Sequence, residues 1–143
     1  MKNKMPVLFV GHGSPMNIID DNSFTRTLYE LGKTLQPKSI LVISAHWVID
    51  KTKVVSVDHP NTIHDFYGFP EELYRIQYPA PGAPQLAQEL APVAESTEEW
   101  GLDHGSWAVL RLMFPEAKIP VTQLSLNRIR TLQQHFELGH ELR

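Results

Sequence analysis

The sequence of 143 residues contains no cysteine. This absence excludes disulfide bonds and thiolate metal ligands, so any metal ion must be bound through His, Asp or Glu side chains. An excess of basic residues is also missing. The formal net charge is -3 at pH 7, which provides no positive field for holding phosphate groups. We therefore expect no nucleic-acid partner.

Long apolar runs are missing as well. No segment approaches the ~20 apolar residues of a membrane span, and the apolar run at residues 5–10 is too short for a signal peptide. We expect no membrane association and a cytoplasmic location. A hydrophobic content of 42% and a charged content of 20% are typical of globular proteins, and the length fits one domain.

Two predicted strands each lead into a histidine. Residues 5–10 and 39–45 are continuously apolar, and a predicted helix over residues 24–35 separates them, which indicates a right-handed parallel βαβ unit. His12 follows the first strand and His46 the second. Ligands bind beyond the carboxyl ends of parallel strands, so these two imidazoles suggest half of a metal site, with ring nitrogens within about 5 Å.

Each of these histidines also has a plainer interpretation. His12 lies between two glycines, which is typical of a tight turn, and His46 precedes Trp47, beside which it could simply pack. A nucleophile elbow is excluded because Ser14 is followed by Pro15 rather than by the pattern that such a turn needs.

The rest of the chain predicts an α/β fold, a three-layer sandwich with a mostly parallel sheet that we expect to be incomplete. A third strand is expected at residues 53–58, and an ordered Pro-, Gly- and aromatic-rich wall or lid at 59–84 contains a short helical piece near 71–74. Helices at 83–95 and 105–113 and a strand at 120–126 follow. The final segment has a helical apolar stripe but no terminating residue before Arg143; its members are Ile129, Leu132, Phe136, Gly139 and Leu142.

The other histidines differ in their surroundings. His64 lies in the aromatic segment beside Asp65, which could orient its ring. His104 follows Asp103 at a predicted helix start, where it could act as an acid or base, although Asp103 could be merely the helix cap. Turn or surface positions are expected for His59, His135 and His140, and core positions for Trp47, Trp100 and Trp107.

Six segments in order along the chain resemble one enzyme family. They are Gly-His-Gly-Ser-Pro around His12, Ser-Ala-His-Trp around His46, Thr-Ile-His-Asp-Phe-Tyr-Gly-Phe-Pro around His64, Gln-Tyr-Pro-Ala-Pro-Gly, Trp-Gly-Leu-Asp-His-Gly-Ser-Trp around His104, and His-Phe-Glu-Leu-Gly from His135. Each motif is weak, but the ordered set is specific. The chain resembles the class III extradiol ring-cleavage dioxygenases, in the branch typified by 4,5-DOPA extradiol dioxygenase.

The resemblance implies a non-haem metal enzyme that opens a catechol ring, such as that of a DOPA-like substrate, with O₂. It implies that His12 and His46 bind the metal, that His104 lies by the substrate and assists its deprotonation, and that His64 belongs to the substrate-binding loop. Fe(II) is the expected catalytic metal because O₂ activation needs a redox metal, and Zn(II) is an alternative bound metal. Family members are considerably longer, so residues 1–143 are expected to form the amino-terminal part of a single dioxygenase domain.

Two other hypotheses stay open. The chain could be a truncated, catalytically inactive fragment that binds metal weakly or acts only by association with itself. It could also be a zinc hydrolase that uses the same two histidines, but the His-Glu-x-x-His signature of such enzymes is missing from the sequence.

Overall fold

The computed structural model describes residues 4–142. A short 3₁₀ helix at Pro15–Ile18 precedes five α-helices and four strands. The α-helices are α1 (Ser23–Lys33), α2 (Glu71–Arg75), α3 (Pro84–Glu89), α4 (His104–Met113) and α5 (Leu132–Glu141). The strands are β1 (Ile40–Ile49), β2 (Lys53–Val55), β3 (Glu95–Thr97) and β4 (Val121–Asn127).

The four strands form one open, mixed sheet in the order β1-β4-β2-β3. The β1–β4 and β2–β3 pairs are parallel, whereas β2 and β4 are antiparallel. The register of β1 against β4 shifts between Ile43 and Val48, so residues 44–47 stand opposite Ser125 alone. An irregularity of this kind redirects side chains locally.

Helices cover both faces of the sheet. One apolar cluster contains Trp107 and Leu110 of α4, with Val42 of β1 packed against it. A second cluster contains Ala87 of α3 and Leu138 of α5, with Leu41 of β1 packed against it. Because successive residues of a strand point to opposite faces, the two clusters lie on opposite sides of the sheet. The predicted α/β three-layer sandwich with a mostly parallel sheet is confirmed.

Local sequence signals account for the helix starts. Asn22 caps α1 and Thr131 caps α5, each in a reciprocal capping box with the residue three positions later. Asp103 caps α4 by accepting a hydrogen bond from the backbone N–H of Ser106. These bonds satisfy backbone donors that the first turn of a helix leaves without partners.

The predicted strand at residues 5–10 is wrong. Within the described part of the chain this segment pairs with no strand, and the side chains of Val7 and Phe9 are 93% and 104% exposed. An apolar run indicates that a segment could be buried as a strand, but a strand forms only where a neighbour accepts its backbone hydrogen bonds. The predicted βαβ unit therefore does not form in the described structure, because its first strand is missing.

Further boundaries differ from prediction. The strand expected at residues 53–58 ends at Val55. The helix expected at residues 83–95 ends at Glu89, because Pro92 disfavours a helical conformation at Ala91, and residues 95–97 instead form β3 beside β2. The strand expected at residues 39–45 continues to Ile49, because Val48 and Ile49 pair again with β4 after the irregularity. His46 therefore lies within β1 rather than after it.

The predicted apolar stripe at the carboxyl end is only partly buried. Leu138 is 5% exposed and Leu142 packs against the same cluster, whereas Ile129, Leu132 and Phe136 are exposed. Among residues 4–142, no helix combines the length and the apolar character that crossing a membrane requires.

Tyr78 gives a test of the core. Its ring is 1% exposed, its hydroxyl donates to the Phe114 carbonyl at 3.0 Å, and burial raises its pKa to about 12. We expect Tyr78→Phe to lower the free energy of unfolding by about 1 kcal/mol at pH 8. In the unfolded chain the pKa of the phenol is near 10. The contribution of Tyr78 to the free energy of unfolding is therefore complete below pH 10 and is lost as pH rises towards 12. Urea unfolding at pH 8 and pH 11 should show a smaller alkaline loss in the variant; equal losses would contradict this account.

Candidate metal centre

Three imidazoles from separate parts of the chain meet at one end of the sheet. They belong to His12 in the turn before the 3₁₀ helix, His46 in the irregular part of β1, and His104 in the first turn of α4. One ring nitrogen of each lies within 4.8 Å of the others, and the Nε2 atoms of His12 and His46 are 2.9 Å apart. The predicted proximity of His12 and His46 is confirmed, although residues 5–10 form no strand.

The turn that carries His12 is fixed to the start of α1. Asn17 donates from its side-chain amide to the carbonyl of His12 at 3.2 Å, and its amide oxygen accepts from Asn22 at 3.0 Å. Gly13 has a φ of 66°, in the left-handed region that glycine adopts without steric strain. The same Asn22 caps α1, so this helix start also positions the imidazole.

His104 is held by a carboxylate from the aromatic segment. Oδ1 of Asp65 lies 2.8 Å from the Nδ1 of His104 and accepts a hydrogen bond from its backbone N–H at 2.9 Å. The other oxygen, Oδ2, lies 3.4 Å from the Nδ1 of His46. A carboxylate at Nδ1 favours a proton on that nitrogen, which leaves the Nε2 lone pair available for a ligand.

A buried polar network lies beneath the imidazoles. The carboxyl group of Asp103 is fully buried and accepts hydrogen bonds from the Ser44 hydroxyl at 2.7 Å, from the Gln123 amide and from the Ser106 backbone. The backbone N–H of His46 donates to the same Ser44 hydroxyl at 3.2 Å. The network thus connects His46 in β1 with the residue before His104.

Gly105 makes room for this arrangement. A Cβ at this position would lie 2.7 Å from the Cδ2 of His46 and 2.5 Å from the Ser44 hydroxyl oxygen. Real Cβ atoms do not approach other heavy atoms so closely, so a larger residue would force the His46 ring to move. Glycine after His104 is therefore explained by packing against β1.

The electrostatics of the cluster shift the pKa values of His12 and Asp65. Burial lowers the pKa of His12, and the neighbouring imidazoles of His104 and His46 lower it further. Burial alone would raise the pKa of Asp65, but hydrogen bonds from the His104 side chain and backbone outweigh it and lower that pKa. The site therefore combines a carboxylate whose pKa is lowered with imidazole nitrogens, a donor set that suits a divalent cation.

His64 is placed differently from these three residues. Its Nε2 lies 2.8 Å from the carbonyl oxygen of Ile76, and its ring packs near Phe66 and Trp107. The expectation that Asp65 orients His64 is wrong, because the carboxylate contacts His104 and His46 instead. Its predicted substrate contact stays a prediction.

The remaining aromatic and histidine positions are less informative for the site. Trp47 and Trp107 are buried as expected, and Trp100 is partly buried and stacks on Trp47 with ring centroids 5.4 Å apart. His59 and His140 are exposed, whereas His135 is partly buried against the carbonyl of Asn127.

Sequence reasoning missed the convergence of His104 with the two predicted metal ligands and the role of Asp65. The available signal was the Asp103-His104-Gly105 sequence, which indicated a functional histidine at a helix start. Nothing local to Asp65 identifies a partner 39 residues away.

Known proteins are similar to this chain in sequence and in structure. The chain is 51% identical to a 4,5-DOPA dioxygenase extradiol of Escherichia coli K12 over 97% of its own length and 54% of the relative. It is 41% identical to one of Beta vulgaris, over 98% of the chain and 57% of the relative. A crystal structure of an uncharacterized Escherichia coli K12 protein superposes with a TM-score of 0.70 at 42% identity, covering 90% of this chain and 50% of that one.

The chain spans about half the length of the curated relatives it matches. The family model described as the catalytic LigB subunit of aromatic ring-opening dioxygenase matches residues 6–143. That match includes all three clustered histidines and Asp65, and it covers nearly the whole sequence. The chain therefore belongs to the LigB family of aromatic ring-opening dioxygenases.

Proposed function

We propose that this chain provides metal ligands and a proton acceptor to an extradiol dioxygenase that opens the catechol ring of a small, DOPA-like substrate with O₂. The observation that carries the proposal is the convergence of His12, His46 and His104 within 4.8 Å. The names of the relatives, which are 4,5-DOPA dioxygenases, support the reaction class. Residues 1–143 would form the amino-terminal part of a single domain, in keeping with the share of the relatives that they span.

His12 and His46 are the proposed metal ligands. Their Nε2 atoms lie 2.9 Å apart, so both could bind one divalent metal ion. In the metal-free protein the two nitrogens lie at hydrogen-bond distance, so one carries a proton that a metal ion would replace.

His104 is the proposed proton acceptor. Its Nε2 would take a proton from a catechol hydroxyl, while its Nδ1–H stays on the Asp65 carboxylate 2.8 Å away. That carboxylate would stabilise the resulting imidazolium, because hydrogen bonds between charged groups are stronger than neutral ones. Ligation of the metal by the same Nε2 is the competing assignment, since His104 belongs to the same cluster.

Aromatic residues pack beside the proposed proton acceptor. Phe66 is buried, and its ring packs edge to face against the ring of His104 with the ring centroids 5.4 Å apart. His64 packs behind it, with ring centroids 5.9 Å apart, and supports the proposed substrate-binding surface. Fe(II), when bound, would supply the electron-transfer chemistry that O₂ requires, which Zn(II) does not provide.

Metal affinity tests the ligand assignment. His46→Ala should weaken Zn(II) or Fe(II) binding by more than about 100-fold, beyond the loss typical of changes outside the ligand set. His104→Gln should change affinity by less than about 10-fold if His104 is the proton acceptor, and by as much as His46→Ala if it is a ligand. Competition titrations against a chelator measure both, and His140→Gln, an exposed histidine on α5, is the control.

Ring opening tests the activity. The chain loaded with Fe(II) under anaerobic conditions and mixed with 3,4-dihydroxyphenylalanine should consume O₂ and form a yellow product when air is admitted. His104→Gln should lower the rate by at least about 100-fold, as expected for loss of general base catalysis. Metal binding without any product from the unaltered chain would contradict this activity and favour the second candidate.

The second candidate is a fragment that binds metal without turnover and acts by association. The observation in its favour is exposed apolar surface on α5, where Leu132 is 90% and Phe136 is 63% exposed. The double change Leu132→Gln and Phe136→Gln should then shift sedimentation velocity profiles towards the monomer. Gln133→Ala on the same helix is the control, and a concentration-independent monomer in the unaltered chain would contradict association.

A further inference from the structure

Asp65 occupies an unusual position in the molecule. It lies in a segment without regular secondary structure, yet its carboxylate reaches two imidazoles from different elements. Oδ1 contacts the side chain and the backbone of His104 in α4, and Oδ2 faces Nδ1 of His46 in β1 at 3.4 Å.

The backbone around Asp65 is fixed on both sides. The N–H of Ile63 donates to the carbonyl of Leu102 at 2.8 Å, and the indole of Trp107 donates to the carbonyl of Ile63 at 2.8 Å. After Asp65, the ring of Phe66 is buried in the core. The loop thus presents its carboxylate from a rigid base that α4 itself supplies.

A carboxylate placed in this way decides which ring nitrogen carries the proton. Neutral histidine holds one proton, on Nδ1 or on Nε2, and a hydrogen-bond acceptor at Nδ1 stabilises the first form. In that form Nε2 presents a lone pair. His12 differs from the other two, since its described contacts at Nε2 are with His46 rather than with a carboxylate.

We propose that Asp65 is a positioning residue that holds His46 and His104 together in the Nδ1–H tautomer, so that both Nε2 atoms face the cluster as acceptors. The inference rests on the proposed function for its consequence, but the tautomers themselves are a property of the metal-free protein. A single side chain would thereby prepare one proposed ligand and the proposed proton acceptor.

The test replaces the carboxylate by an amide of the same shape. In Asp65→Asn the amide NH₂ can donate to Nδ1 of His46, which would favour the Nε2–H tautomer and remove the lone pair from the cluster. Two-bond ¹H–¹⁵N correlation spectra of the imidazoles at pH 8 distinguish the two tautomers. We expect Nδ1–H for His46 and His104 in the unaltered chain, a change for His46 in Asp65→Asn, and a loss of Zn(II) affinity of about 10–100-fold.

Matched variants distinguish a positioning role of the Asp65 carboxylate from a general loss of structure. Asp58→Asn makes the same chemical change at an exposed residue near the start of the same segment and should alter neither spectra nor affinity. Asp65→Glu keeps a carboxylate and should restore the Nδ1–H signals and part of the affinity, which a purely structural role for the loop would not require. It also provides the decisive comparison with the unaltered chain if Asp65→Asn does not fold.

The outcomes test the role of Asp65 separately from the proposed dioxygenase function. Unchanged tautomers in Asp65→Asn, or a glutamate variant that behaves like the asparagine variant, would overturn the inference even if the unaltered chain binds metal and opens catechol. Tautomers that respond as expected would support it even if the unaltered chain shows no measurable metal affinity, a result that would instead overturn the proposed function.

Discussion

The carboxyl group of Asp103 joins the sheet to the helix beneath the histidines. It is fully buried, and its partners are the Ser44 hydroxyl of β1, the Gln123 amide of β4 and a backbone N–H of α4. A buried carboxyl group is costly unless every lone pair finds a donor, so these three elements can hold only a narrow range of relative positions. The spacing of His46 from His104 depends on that constraint.

Crowding disfavours protonation of the imidazoles. Two protonated histidines within 4.8 Å would repel each other, and the lowered pKa of His12 reflects this together with burial. Asp65 supplies a carboxylate at the side of the cluster, and Asp103 lies directly before His104 in the chain.

The sequence predicted the parts of the site that short segments determine. The sequence predicted the proximity of His12 and His46, although the first of the two strands from which it was argued does not form, and the Asp-His-Gly motif marked His104 as functional. Asp103, which the sequence offers as a possible helix cap, does cap α4. Each of these signals is contained in a few consecutive residues, so no knowledge of the tertiary structure was needed to find it.

What could not be predicted depends on contacts between distant residues. Residues 5–10 have the composition of a buried strand but no strand pairs with them in the described structure, and β3 forms because β2 offers it an edge. Asp65 was associated with the neighbouring His64, whereas its partners are 19 and 39 residues away. Hydrogen bonds of this range leave no periodic pattern in the sequence.

The irregular part of β1 has a consequence for which changes of length this strand can accept. Residues 44–47 stand opposite Ser125 alone, and within them Ser44 and Trp47 are buried while His46 faces the cluster. Removing or adding one residue there would exchange the two faces of the strand, turning the imidazole into the core and Trp47 out of it. The number of residues between Ile43 and Val48 therefore decides whether the His46 imidazole faces the site.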